Sequence, residues 1–151
     1  MPTIMLSPHF TLEEFTVSQT AAREGISNQP SPEHFENLKK TAAMMEKVRT
    51  LLGNKPIIVS SGYRSPALND AVGGSPTSAH CFGFACDFNC PLYGSSTEVA
   101  NFLKSHMQEL GLDQLINEYP PSGWVHAGLS ANPPRYMALT IDSSGTTSGI
   151  A

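Results

Sequence analysis

Ser78-Ala-His-Cys-Phe-Gly-Phe-Ala-Cys-Asp87 is the stretch on which the reading of this chain turns. Phe84, Cys86 and Phe88 alternate with Ala85, Asp87 and Asn89. That period of two predicts a strand with one buried face. His80 precedes Asp87 by seven residues, with Gly83 between them. With the histidine at a loop end and the aspartate on the strand, the glycine lets the chain fold back closely. The two side chains then converge, and imidazole nitrogen with carboxylate oxygen is a donor pair that zinc accepts.

Two ligands do not make a site, and the candidate for a third lies downstream. Gln114–Tyr119 and Trp124–Leu129 are short apolar runs separated by Pro120-Pro121-Ser122-Gly123, which predicts a hairpin. On a strand, Trp124 and His126 share one face and Val125 takes the other. A single histidine on such a strand is often a satisfied core residue. Here a carboxylate, Glu118, stands at the far end of the same hairpin. The two arms of a hairpin approach to about 5 Å, so Glu118 is expected to face the site that His126 joins. Asp113 is the fallback acid, farther back on the same arm.

Upstream, Thr11-Leu-Glu-Glu14 has the form of a capping box before a short helix near 11–15. Residues 16–30 read as irregular. Ser31-Pro32-Glu33 announces a helix over roughly 32–52, whose stripe is Phe35, Leu38, Ala42, Met45, Val48 and Leu52. Pro56–Ser60 predicts a strand, Ser65-Pro66 a short helix, Ser95–Glu98 the start of a helix over 96–110, and Tyr136–Ile141 a further strand. Helices and antiparallel strands in this order predict an α+β domain over 1–142. The Ser-, Thr- and Gly-rich residues 143–151 read as a flexible tail.

The chain has 151 residues, which suits one domain. Its net charge is −4 and its longest basic cluster is Lys39-Lys40, which argues against nucleic acid as partner. No run approaches the roughly 20 apolar residues of a membrane span. The N-terminus lacks the basic-then-apolar pattern of a signal peptide, so the expectation is a cytoplasmic protein or one released by other means. Cys81, Cys86 and Cys90 read as reduced thiols, and their spacing fits no common zinc motif. No heptad repeat is present, and a monomer is expected.

Ser61-Gly-Tyr-Arg64, Ser-x-His-x-x-Gly-x-Ala-x-Asp at 78–87 and Trp-Val-His at 124–126 together resemble the zinc D-Ala-D-Ala carboxypeptidase family, peptidase M15. Leu6–Phe15 resembles the phage-associated, endolysin-like branch, and the likeness runs over roughly residues 6–140. The resemblance implies a small antiparallel sheet with helices packed on one side, as in the peptidase and hedgehog scaffold. It implies one zinc ion on His80, Asp87 and His126, with Glu118 as general base. The turn at 120–123 makes the Glu118–His126 interval eight residues, longer than in the family pattern. Arg64 matches the family arginine after Ser-Gly-Tyr, which serves catalysis and grips substrate. From its place two before His80, Ser78 reads either as a substrate-binding hydroxyl or as a turn residue orienting the loop. From its size and position, Trp124 reads either as a substrate-binding wall of the cleft or as a core residue. The implied substrate is the peptide of bacterial peptidoglycan. The implied setting is a phage lysin that waits in the host cytoplasm before reaching the cell wall. Two other readings stay open: a non-catalytic zinc-containing binding module on the same scaffold, and a structural zinc completed by Cys81 or Cys86.

Overall fold

Thr11 starts the first helix as its capping box requires. Its Oγ1 accepts from the Glu14 N–H at 3.1 Å, and the Glu14 carboxylate accepts from the Thr11 N–H at 2.9 Å. A computed structural model describes residues 3–150 of the chain. In it a two-stranded ribbon, β1 (Met5–Ser7) and β2 (Phe10–Thr11), leads into α1 (Leu12–Thr16). The Phe10 and Phe15 rings lie 5.8 Å apart and both are buried. The region expected to be irregular holds a further helix, α2 (Gln19–Glu24), capped by Ser18 and closed by Gly25. Six residues are too few to show a helical period, so only the caps could have announced it.

α3 (Pro32–Leu51) follows its sequence signals closely. The Ser31 hydroxyl accepts from the His34 N–H, Pro32 takes the first turn, and Leu38, Ala42, Met45 and Val48 are fully buried. Asn28, just before it, is buried and makes three bonds. Its amide donates to the carbonyls of Thr16 and Tyr63 at 2.8 and 2.9 Å, and its oxygen accepts from the Ser65 N–H at 2.7 Å. The end of α1 and the segment carrying Arg64 are thereby tied to one side chain.

The main sheet contains β3 (Ile58–Ser61), β4 (Ala85–Asn89), β5 (Gln114–Glu118), β6 (Trp124–Gly128), β7 (Met137–Asp142) and β8 (Gly145–Ser148). Its order is β3-β4-β6-β5-β7-β8. The sheet is antiparallel as expected except at one pair, β5 and β7, which run parallel with Leu115 opposite Ala138. The cause is positional. β6 is already flanked by β4 and β5, so the chain leaving β6 crosses to the free edge of β5. The expected flexible tail is also corrected over 145–148, where β8 pairs antiparallel with β7 through Thr140–Thr147 and Ile141–Thr146. Asp142 turns the chain by accepting from the N–H and hydroxyl of Ser144. Ala151 lies outside the described residues.

The predicted helix over 96–110 is two helices, α5 (Ser96–Lys104) and α6 (Met107–Leu110), with α4 (Pro66–Ala71) earlier in the chain. His106 leaves helical geometry between them, at φ −115 and ψ 10, and its ring pairs with Glu109. Val99, Leu103, Met107 and Leu110 still form one buried stripe across the break.

The sheet has two unlike faces. Cys86, Phe88, Leu115, Val125 and Ala127 turn toward α3 and α5 and form one core with their apolar side chains. Asp87, Ile116, Glu118, Trp124 and His126 occupy the opposite face by strand alternation. α3 and α5 thus cover one face, and the other carries Asp87, Glu118 and His126. The strand expected to bury one face buries both, since Ala85, Cys86, Asp87 and Phe88 are all buried.

Candidate metal centre

Strand register alone brings two donors together. Asp87 on β4 stands directly opposite His126 on β6, so both side chains leave the same face of the sheet. The His126 Nδ1 lies 2.9 Å from the Asp87 carboxylate. Its Nε2 is buried with no hydrogen-bond partner among the described residues, and a Cβ at Gly128 would sit 3.2 Å from it.

His80 arrives from a 3-10 turn, Ala79–Phe82, which Ser78 opens by accepting from the His80 N–H at 3.2 Å. Gly83 closes the turn at φ +79, a region that L side chains rarely adopt. A Cβ there would also meet the His34 carbonyl at 2.7 Å. The buried Thr41 hydroxyl of α3 donates to the Gly83 carbonyl at 2.6 Å and holds the turn down. His80 Nδ1 donates to the Gly62 carbonyl at 2.6 Å. Because a carbonyl only accepts, Nδ1 carries a proton, which leaves Nε2, 3.2 Å from Asp87, as the ring atom that can ligate a metal.

One ligand atom from each of His80, Asp87 and His126 lies within 4.8 Å of the others, and all three residues are buried. Burial raises the Asp87 pKa, but the two imidazoles outweigh it and hold the carboxyl well below the usual range. His126 is shifted up: burial works against its charge, and the carboxylates of Asp87 and Glu118 outweigh burial. Two imidazole nitrogens, which ligate once they give up a proton, and one anionic oxygen aimed at a common point match the donor chemistry of zinc. The outer bond from His80 to Gly62 is the kind that fixes a ligand's tautomer and orientation. The group has three members among the described residues, and no thiol joins it. Cys86 points into the core and its thiol is pushed up by burial, so the fourth ligand that a purely structural zinc would need is not supplied there.

Glu118 stands at the edge of this group. It pairs with Trp124 across the hairpin, and its carboxylate is 3.8 Å from His126 Nδ1. Burial and the nearby Asp87 carboxylate raise its pKa, partly offset by His126 and Arg64. The longer turn at 120–123 therefore leaves Glu118 beside the triad. Arg64 is held from two sides: its N–H donates to the His80 carbonyl at 3.1 Å, and its Nη2 to the Ser78 hydroxyl at 3.3 Å. Its Nε is buried without a partner among the described residues. Trp124 walls the cleft, 5.6 Å from the Tyr119 ring.

Asp113, the alternative acid, is engaged elsewhere. Its carboxylate accepts from Arg135 Nε at 2.9 Å, Nη2 at 2.7 Å and the backbone N–H at 3.0 Å. Those bonds hold its pKa below the usual range. A depressed carboxyl stabilises the fold above its unfolded pKa of about 3.9 and loses that contribution as pH falls through the folded value. Wild type should therefore exceed Asp113→Asn in urea midpoint at pH 7, and the difference should narrow below about pH 4. A constant difference would assign the effect to packing instead. His9 pairs with Glu46, and His34 lies between the rings of Tyr63 and Phe82, so neither joins the triad.

Sequence reasoning missed Gly62, Thr41 and Asn28. The first acts through its carbonyl, which carries no side-chain signal. The other two act across 42 and 35–37 residues of sequence, which no local pattern reveals.

A family model described as Peptidase M15 matches residues 8–127. The chain is 36% identical over 102 residues to a zinc D-Ala-D-Ala carboxypeptidase of Streptomyces albus G. That match covers 68% of this chain and 38% of the relative, so the chain spans well under half of the relative's length. The family match contains the whole His80–Asp87–His126 group, whose donors suit one zinc ion. The chain belongs to the peptidase M15 family.

Proposed function

We propose that this chain hydrolyses peptide bonds in the stem peptides of bacterial peptidoglycan, as a peptidase of the D-Ala-D-Ala carboxypeptidase or endopeptidase type. The observation that carries the reading is a carboxylate, Glu118, 3.8 Å from one of three buried, convergent donors. His80 Nε2, the Asp87 carboxylate and His126 Nδ1 would hold the zinc. When bound, zinc supplies a Lewis acid for the scissile carbonyl and lowers the pKa of water toward 7.

The remaining steps belong to side chains. Glu118 accepts a proton from the attacking water and delivers it to the leaving amine. Burial has already raised the Glu118 carboxyl, yet the amine is the stronger base and takes the proton from it. Arg64, always charged, lines the cleft and grips the substrate carbonyl or carboxylate through its guanidinium, which Ser78 helps to fix. Trp124 presents a flat apolar wall against the peptide. The phage-like Leu6–Phe15 segment supports a lysin role, in which the protein is made in a host bacterium and acts on its wall.

The test is mass spectrometry of purified peptidoglycan after incubation with the zinc-loaded protein, with and without chelator. Chelator-sensitive release of alanine or of stem peptides is the expected result. Stoichiometric zinc with no cleavage would overturn the proposal in favour of a binding module.

A further inference from the structure

Both peptide groups that flank Arg64 are held in place. The Tyr63 carbonyl accepts from the Asn28 amide at 2.9 Å, and the Ser65 N–H donates to the Asn28 oxygen at 2.7 Å. Between them, the Arg64 N–H donates to the His80 carbonyl at 3.1 Å. Peptide groups are planar, so fixing the plane on each side of a residue fixes its φ and ψ. The direction in which the Arg64 side chain leaves the backbone is thereby set, and Ser78 holds its far end at Nη2.

Asn28 supplies two of those three backbone bonds from outside the cleft. It is buried, and it lines neither cavity that reaches Arg64. Its orientation follows from chemistry. Its amide N–H groups meet the carbonyls of Thr16 and Tyr63, which only accept, and its oxygen is left for the Ser65 N–H. The bond to Thr16 anchors Asn28 on the end of α1. That same end takes the Tyr63 N–H on the Phe15 carbonyl at 2.7 Å. It lies so close that a Cβ at Gly62 would meet the Phe15 carbonyl at 2.6 Å. The end of α1 and Asn28 thus form the frame on which residues 62–65 are laid.

We infer, resting on the substrate role proposed for Arg64, that Asn28 is a positioning residue: without touching substrate, it sets the place from which the Arg64 guanidinium grips. Removing its side chain leaves two carbonyls and one N–H without partners, and the backbone at 63–65 moves to satisfy them. A shift of about 1 Å from a change remote from the chemistry can cost on the order of 100-fold in rate.

A double-mutant cycle tests this. The probe is a soluble stem peptide prepared from peptidoglycan, and kcat/KM is expressed per bound zinc. The proteins are wild type, Asn28→Ala, Arg64→Ala and the double variant, all zinc-loaded. With Arg64 present, Asn28→Ala should lower kcat/KM roughly 10- to 100-fold. In the Arg64→Ala background the same change should cost less than about twofold, because the group that Asn28 positions is gone. Equal losses in the two backgrounds would overturn the inference and leave Asn28 a structural residue. An unchanged kcat/KM for Asn28→Ala with Arg64 present would overturn it as well. Ordinary turnover by Arg64→Ala would instead remove the role proposed for Arg64, and the positioning role with it. No cleavage by wild type with stoichiometric zinc would overturn the peptidase reading beneath both. Where Asn28→Ala fails to fold, Asn28→Ser takes its place in the cycle, since a hydroxyl keeps a polar partner in the frame, and the same outcomes decide.

Discussion

Replacing Glu118 by Gln is expected to lower kcat by about 10²–10⁴-fold while the protein keeps its zinc. Glutamine preserves size and polarity but cannot accept the water proton. Glu118 is not one of the three convergent donors, so metal content should stay near one per chain. The β5–β6 pairing that carries position 118 is made by backbone groups and survives the change. KM should move little, since the lost interaction belongs to proton transfer and not to binding of the peptide. Metal analysis and steady-state kinetics on the same sample separate the outcomes. Ordinary turnover would remove Glu118 from the mechanism. Loss of zinc together with turnover would make it a ligand.

The site was legible in the sequence wherever local periodicity decides geometry. Alternation put Trp124 and His126 on one face, and the observed register sets Asp87 opposite His126 and Glu118 opposite Trp124. The His80-to-Asp87 interval needed one tight turn with a positive φ, and Gly83 supplies it. α3 was legible because its cap, its Pro32 and its stripe all agree.

Features that stayed hidden depend on partners distant in sequence. β8 has a Thr- and Ser-rich sequence with every residue exposed, and it is ordered by pairing with β7 rather than by burial. The parallel placement of β7 follows from β4 having taken the other edge of β6, a choice made between strands some 40 residues apart. The break at His106 interrupts the helix but not its apolar stripe, so periodicity alone could not find it. The same limit applies to Asn28. Its place before Pro30 marks a turn, but its three bonds depend on where α1 and the Arg64 segment pass.

Asp87→Asn is expected to weaken zinc binding by more than the roughly 10–100-fold typical of losing an outer partner. Asp87 is the anion of the triad, and both imidazoles point at its carboxylate. An amide of the same shape still offers a carbonyl oxygen and N–H groups to His80 and His126, so the metal-free fold should survive. Its oxygen is neutral, however, and no longer compensates a divalent charge in a site this buried. Binding to the folded state alone stabilises it, by about 2.7 kcal/mol at a zinc concentration 100 times Kd. For a chain of this length that corresponds to a rise in Tm of about 5–10 °C. The wild type should show that rise when zinc is added to the metal-free protein, and Asp87→Asn should show little of it at the same concentration. Activity should fall with zinc occupancy. Equal shifts in the two proteins would mean that the zinc responsible for stability is held elsewhere, and that the carboxylate between the two histidines is not its ligand.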